Sequence, residues 1–263
     1  MRLIGIIPAA GLGSRLQPLP FSKELFPAGF QKINDTWRVS PISLYLVDAL
    51  KKAGVHQHYF VISPQKTDIP RYFMNGSQFG IQVSYLYQPE PKGMVDALAQ
   101  VTPWLSGEDE DTLIFFGMPD TYFQPASLFD KMKETLLENR DLQVVLGVFP
   151  VISWWKLGMV HFQQLENGTG EVMDILDKPK VKPDTDYAWG VAVWRLSFQR
   201  YLTKCQAEFK GEGELVLGDV FMRAKMDGMK LHCITGTEYR DLGTVDDLMR
   251  FVHETSRGQD EKK

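Results

Sequence analysis

LIGIIPAAGLGSRLQPLPFSKELFPAG, residues 3–29, decides how this chain is read. Its first five residues form an apolar run suited to a strand inside a sheet. The run gives way at once to a loop of glycines and prolines that carries one arginine and one lysine. Such a loop stands at the carboxyl end of a core strand, where open α/β sheets bind their ligands. Gly11 and Gly13 let backbone come close to a ligand and turn N–H groups inward, while Arg15 and Lys23 bring charge suited to phosphate oxygens. A tight strand-to-helix turn with surface charges explains these few residues equally well. The dinucleotide fingerprint is absent, because Leu16 stands where its third glycine belongs, and no Gly-Lys-Ser/Thr follows to make a P-loop.

Outward from this stretch, strand-like runs recur at 58–62, 81–87, 112–117 and 142–148. Helical spacing fills 41–53, with Pro41 suited to a first helical turn and Gly54 to the end, and again 93–101 and 125–139. Strands alternating with helices predict an α/β fold with a mostly parallel, Rossmann-like sheet flanked by helices. Beyond residue 150 the rhythm shortens to strands at 157–165, 171–177 and 187–195, with turns at Asn167-Gly168 and Lys182-Pro183, which predicts a smaller antiparallel lobe. Helices are expected at 197–209, 218–227 and 244–255, followed by a polar tail over 256–263. No internal repeat or linker divides residues 1–255, which read as one domain with parts at 1–150 and 151–255.

The chain has 263 residues, 44% hydrophobic and 24% charged, enough for a large core. A net charge of −4 argues against a nucleic-acid partner and leaves room only for a local basic site. No apolar run approaches the ~18 residues of a membrane span, and Met1 leads straight into the first strand without an export signal. Cys205 and Cys233 have neither CxxC spacing nor a place in a His/Cys cluster, so they read as plain thiols of a cytoplasmic protein. The five histidines are scattered singly, without metal-ligand spacing.

Taken whole, Gly11-Leu-Gly-Ser-Arg15-Leu-Gln-Pro18 followed by Ser22-Lys23-Glu24-Leu25-Phe26-Pro27 resembles the signature of the sugar-1-phosphate nucleotidyltransferases. Gln88-Pro-Glu-Pro-Lys-Gly93 is similar to the base-binding segment of the family's glucose-1-phosphate thymidylyltransferases, and Gly117-Met-Pro-Asp120 to their metal segment. Gly158-Met-Val160, Asp177-Lys178-Pro179, Tyr187-Ala-Trp-Gly190 and Asp241-Leu-Gly243 then occur in the family's order, so the likeness covers residues 3 to about 255. Two departures bear on substrate. Asp177 replaces the usual glutamate before Lys-Pro, and Glu24 stands where thymidylyltransferases often carry glutamine and uridylyltransferases glutamate. The first signature therefore leans to UTP and the Gln88 segment to dTTP.

The resemblance implies a nucleotide-diphospho-sugar transferase fold, with nucleotide bound in 1–150 and sugar in 151–255. It implies transfer of a nucleotidyl group from dTTP or UTP to a sugar 1-phosphate, glucose 1-phosphate first among them, releasing pyrophosphate. Ala10, Gly11, Gly13, Arg15, Lys23, Gln88 and Gly93 would bind nucleotide; Gly158, Asp177, Lys178 and Gly190 the sugar phosphate; Asp120 and Asp241 a Mg²⁺ ion. Arg15, Lys23 and Lys178 would carry the catalytic charge, and a homo-oligomer is compatible with all of this. Without the resemblance, Asp120 reads also as a turn cap, Asp241 as part of a turn before a cap at Thr244, Lys178 as a solvated lysine, and Trp154-Trp155 as packing or a sugar platform. A nucleotidyltransferase for another hexose phosphate, or a silent nucleotide-sugar-binding regulator, would share the motifs; the full charge set disfavours the regulator.

Overall fold

The computed structural model describes residues 1–33, 35–166 and 168–260. In chain order its elements are β1 (Leu3–Ala9), β2 (Pro27–Ile33), β3 (Thr36–Pro41), α1 (Ser43–Lys52), β4 (Gln57–Ile62), α2 (Asp68–Phe73), β5 (Gln82–Tyr87), α3 (Met94–Ala99), β6 (Leu113–Gly117) and β7 (Thr121–Gln124). They continue as α4 (Leu128–Glu138), β8 (Leu142–Pro150), β9 (Gly158–Gln164), β10 (Gly170–Asp177), β11 (Tyr187–Arg195), α5 (Leu196–Glu208), α6 (Leu217–Met226), β12 (Lys230–Thr235), β13 (Glu238–Asp241) and α7 (Val245–Asp260).

Among the described residues, nine strands form one sheet in the order β5-β4-β1-β6-β11-β8-β12-β10-β9. Strands β5, β4, β1 and β6 run parallel, as expected of their continuous apolar runs. The antiparallel strands expected after residue 150 are present, but they extend this sheet. β11 enters its middle, antiparallel to β6 on one side and β8 on the other, with Val193 opposite both Phe115 and Val145. Strands from both halves of the chain thus share one set of hydrogen bonds. Large apolar side chains fill both faces: Phe116, Trp194, Phe198 and Phe221 on one, Phe60, Phe73, Phe115 and Phe129 on the other.

Several local expectations are corrected. Pro41 ends β3 and does not open a helix; residues 36–41 pair with β2, Pro27 opposite Pro41, and the helix starts at Ser43. The β2–β3 hairpin, the β7–β13 pair, β12 and α2 carry too few apolar residues in period to stand out in the sequence. Helix α7 continues to Asp260, into the stretch read as a polar tail; residues 261–263, and Asn167 of the predicted turn, lie outside the described residues. A small third core of Leu16, Ala28, Ile42, Leu242, Leu248 and Phe251 pins the loop after β1 against α7.

Candidate active site

The loop after β1 is drawn inward by Lys23. Gly13 has φ +63°, a left-handed conformation, and a Cβ built there would lie 3.1 Å from Lys23 Cδ. Glycine therefore serves both the turn and the close approach of the lysine stem. Lys23 Nζ donates to Asp120 Oδ2 at 2.5 Å, and both side chains are nearly buried. Burial disfavours the ammonium, but the charge and hydrogen bond of Asp120 outweigh it, with Glu24 and Asp241 adding, so the Lys23 pKa lies above the ordinary lysine value.

Asp120 follows β6 at its carboxyl end, and β7 begins beside it. Strand β13 pairs with β7 so that Asp241 faces Thr121, next to Asp120. The convergence is read at Gly243: a Cβ there would lie 2.8 Å from Asp241 Oδ1, 3.1 Å from Asp120 Oδ2 and 3.1 Å from Arg15 Nη2. Arg15 Nη1 lies 3.7 Å from Asp241 Oδ2. Two carboxylates and an arginine thus meet at one point, and the two carboxylates offer the oxygen donors that a hard cation shares with phosphate and water. No group of three or more metal-ligating His, Cys, Asp or Glu occurs among the described residues.

The second group comes from the junction of β9 and β10, where Asp177 pairs with Gly158. Lys178 follows with φ +42°, unusual for a residue bearing a Cβ, and its N–H donates to Leu157 O at 3.0 Å. Its side chain is 61% exposed, with Nζ 3.8 Å from Asp177 Oδ2. A cleft of about 200 Å³ joins the two groups, and Arg15, Lys23, Asp120, Asp177, Lys178 and Asp241 all line it. Gly158 and Gly190 line it as well, and the space where a Cβ would stand on each is filled by the chain itself. A Cβ on Gly158 would fall 2.3 Å from Trp189 Nε1, and one on Gly190 2.1 Å from the Tyr239 ring.

Ala10, Gly11, Gly13, Gln88 and Gly93 are not in this wall. Ala10 is buried, and open space adjoins Gly11. Gln88, also buried, donates its amide to Asp96 Oδ2 at 2.6 Å and to Gly93 O at 3.1 Å, which holds the turn into α3. Gly93 has φ +93°, and Glu214 lies against it: a Cβ there would fall 2.5 Å from Glu214 Oε2. Met94 and Glu214 bring this edge to the cleft.

Sequence reasoning passed over Lys156, Trp189, Glu214 and Tyr239, which line the cleft. Lys156 is paired with Asp247 at 2.6 Å, and the indole Nε1 of Trp189 is buried without a hydrogen-bond partner among the described residues. Trp189 lies inside the Tyr187–Gly190 segment and Tyr239 two residues before Asp241, and that closeness in sequence is the available signal. Trp154 and Trp155 meet edge to face, with ring centroids 5.7 Å apart, and neither lines the cleft.

The nucleotidyl transferase family model matches residues 4–257. A Bacillus subtilis protein provisionally named UTP–glucose-1-phosphate uridylyltransferase is 23% identical, over 95% of this chain and 95% of its own. The glucose-1-phosphate thymidylyltransferase of Neisseria meningitidis is 28% identical over 70% of this chain and 58% of its own. Among solved structures, an apo UDP-glucose pyrophosphorylase superposes with a TM-score of 0.81 at 17% identity, covering 98% of this chain and all of that one, a likeness of fold.

Proposed function

The chain belongs to the nucleotidyl transferase family, and from that premise we propose that it makes a nucleotide-sugar from dTTP or UTP and a hexose 1-phosphate, glucose 1-phosphate first among the candidates. The observation that carries this reading is the meeting of Arg15, Lys23, Asp120 and Asp241 in one cleft with Asp177 and Lys178. A silent nucleotide-sugar binder would have no need of the whole set. Residues 1–255 act as one domain in this reading, supported by a sheet built from both halves of the chain. No helix among the described residues is long and apolar enough to cross a membrane. The free thiols Cys205 and Cys233 support work in the reducing cytoplasm.

An oxygen of the sugar phosphate attacks the α-phosphorus, a P–O bond forms, and the bond to the pyrophosphate oxygen breaks in line. The attacking oxygen is already anionic, so no protein base is required; the barrier lies in bringing two anions together and taking up charge on the leaving group. Arg15 binds the β- and γ-phosphates, Lys23 the triphosphate near the reacting centre, and Lys178 the incoming phosphate, with Asp177 on sugar hydroxyls. Asp120 and Asp241 would hold a divalent cation such as Mg²⁺, which when bound neutralises phosphate charge. Gln88 and Gly93 shape the place of the base, and their close-packed turn supports a one-ring base.

The test crosses dTTP, UTP, CTP, ATP and GTP with a panel of sugar 1-phosphates while pyrophosphate is measured. The thymine methyl is worth about 0.8 kcal/mol when buried and the ribose 2′-hydroxyl about 0.5–1.5 kcal/mol when bonded. The two pyrimidines are therefore expected within about tenfold of each other in kcat/KM. A preference for ATP or GTP would overturn the assignment of the base site, and no product across the panel would return the chain to a regulatory role.

A further inference from the structure

The connection between β4 and α2 and the first residue of α2, outside every motif quoted above, grip the signature segment on both sides of Lys23. Asp68 accepts from Ser22 twice, from its N–H at Oδ2 and its hydroxyl at Oδ1, each at 2.6 Å. Lys66 Nζ donates to Glu24 Oε1 at 2.6 Å. The lysine between these two anchors is the one turned toward Asp120. Charges therefore alternate along the chain of contacts Lys66, Glu24, Lys23 and Asp120.

Glu24 is 1% exposed, and its Oε2 has no hydrogen-bond partner among the described residues. A buried carboxylate in that condition needs a cation. The cations whose charge acts on it are Lys66 and Lys23. If Lys66 were lost, Lys23 would be the remaining one, and Glu24 would compete for it with Asp120 and with any phosphate in the cleft. We propose that Lys66 is a positioning residue, which occupies Glu24 so that the Lys23 ammonium stays turned to the cleft. Burial pushes the Glu24 carboxyl up and the Lys66 ammonium down from their ordinary ranges, so the pair is held against desolvation and is poorly explained as a source of stability. A role in placement explains why two costly charges are kept side by side.

This inference rests on the assignment of Lys23 to the triphosphate, and its test is a double-mutant cycle. Lys66→Met should lower kcat/KM for the nucleotide by about tenfold or more, while KM for the sugar phosphate stays within about twofold. Lys66→Met combined with Glu24→Gln, which removes the competing charge, should return to within about threefold of Glu24→Gln alone. The same rise and recovery should appear in the Kd for UTP by calorimetry, which needs no turnover. Where Lys66→Met lowers the folded fraction in a thermal melt, Lys66→Gln, which keeps a donor for Glu24, replaces it in the cycle. Wild-type kinetics in the single variant, or a double variant no better than the single, would overturn the proposal. A wild-type chain without pyrophosphate release would instead overturn the assigned activity, with the binding cycle still reading the role of Lys66.

Discussion

Lys178 and Arg15 line one cleft but face different carboxylates, Asp177 and Asp241, and their loss should separate the two substrates. Arg15→Ala should weaken use of the nucleotide and Lys178→Ala use of the sugar phosphate. Each lost charge-assisted hydrogen bond is worth about 1.5–3 kcal/mol, roughly ten- to a hundredfold in kcat/KM, and steady-state kinetics with each substrate varied in turn would show it. Equal losses toward both substrates from either variant would contradict the two-sided assignment. The backbone at Lys178 adds a second expectation. At φ +42° a side chain is strained and glycine is not, so Lys178→Gly should raise stability by about 1 kcal/mol in urea melts while lowering sugar-phosphate use as alanine does. A destabilised glycine variant would show that the lysine stem packs more than it strains.

At the scale of elements, β4 carries a histidine in the core. His58 is fully buried, its Nε2 donates to Val55 O at 3.0 Å, and burial lowers its pKa from 6.5 to about 4, against the hydrogen bond that favours the charged form. Between those values the unfolded chain binds a proton that the folded chain refuses, so stability falls as pH drops from 6.5 toward 4, by about 3 kcal/mol for this residue. In urea melts across that range His58→Leu should flatten the slope; an unchanged slope would mean that another group titrates. The strands themselves were legible where apolar runs were continuous, as at β1, β4, β6 and β8, because burial on both faces leaves that mark. β7 and β13 were not: four residues each, they are placed by tertiary pairing, and they set Asp120 beside Asp241. Pro41 misled because the same fixed φ suits a strand end and a helix start.

Across the whole molecule, the cleft is assembled from segments more than 200 residues apart, Arg15 to Asp241. The order of motifs made most of its charged residues legible. Lys66 and Asp68, which do not line it, were not, since a lysine in a connection and an aspartate opening a helix carry no pattern until the fold lays them against Glu24 and Ser22. The filling of Gly158 and Gly190 by Trp189 and Tyr239 was hidden for the same reason. The paired carboxylates at Gly243 lead to an expected dependence on divalent cation: removal by EDTA should abolish turnover and added Mg²⁺ restore it, and Asp120→Asn should lower kcat with the fold intact by circular dichroism. Full turnover after verified metal removal would return Asp120 to its ion pair with Lys23 alone. The most direct measurement follows the phosphorus itself. In ³¹P NMR of the protein with Mg²⁺, UTP or dTTP and glucose 1-phosphate, the account predicts nucleotide-sugar and pyrophosphate appearing one for one as both substrates decline. Hydrolysis of the triphosphate without a sugar product, or no change in either substrate, would contradict it.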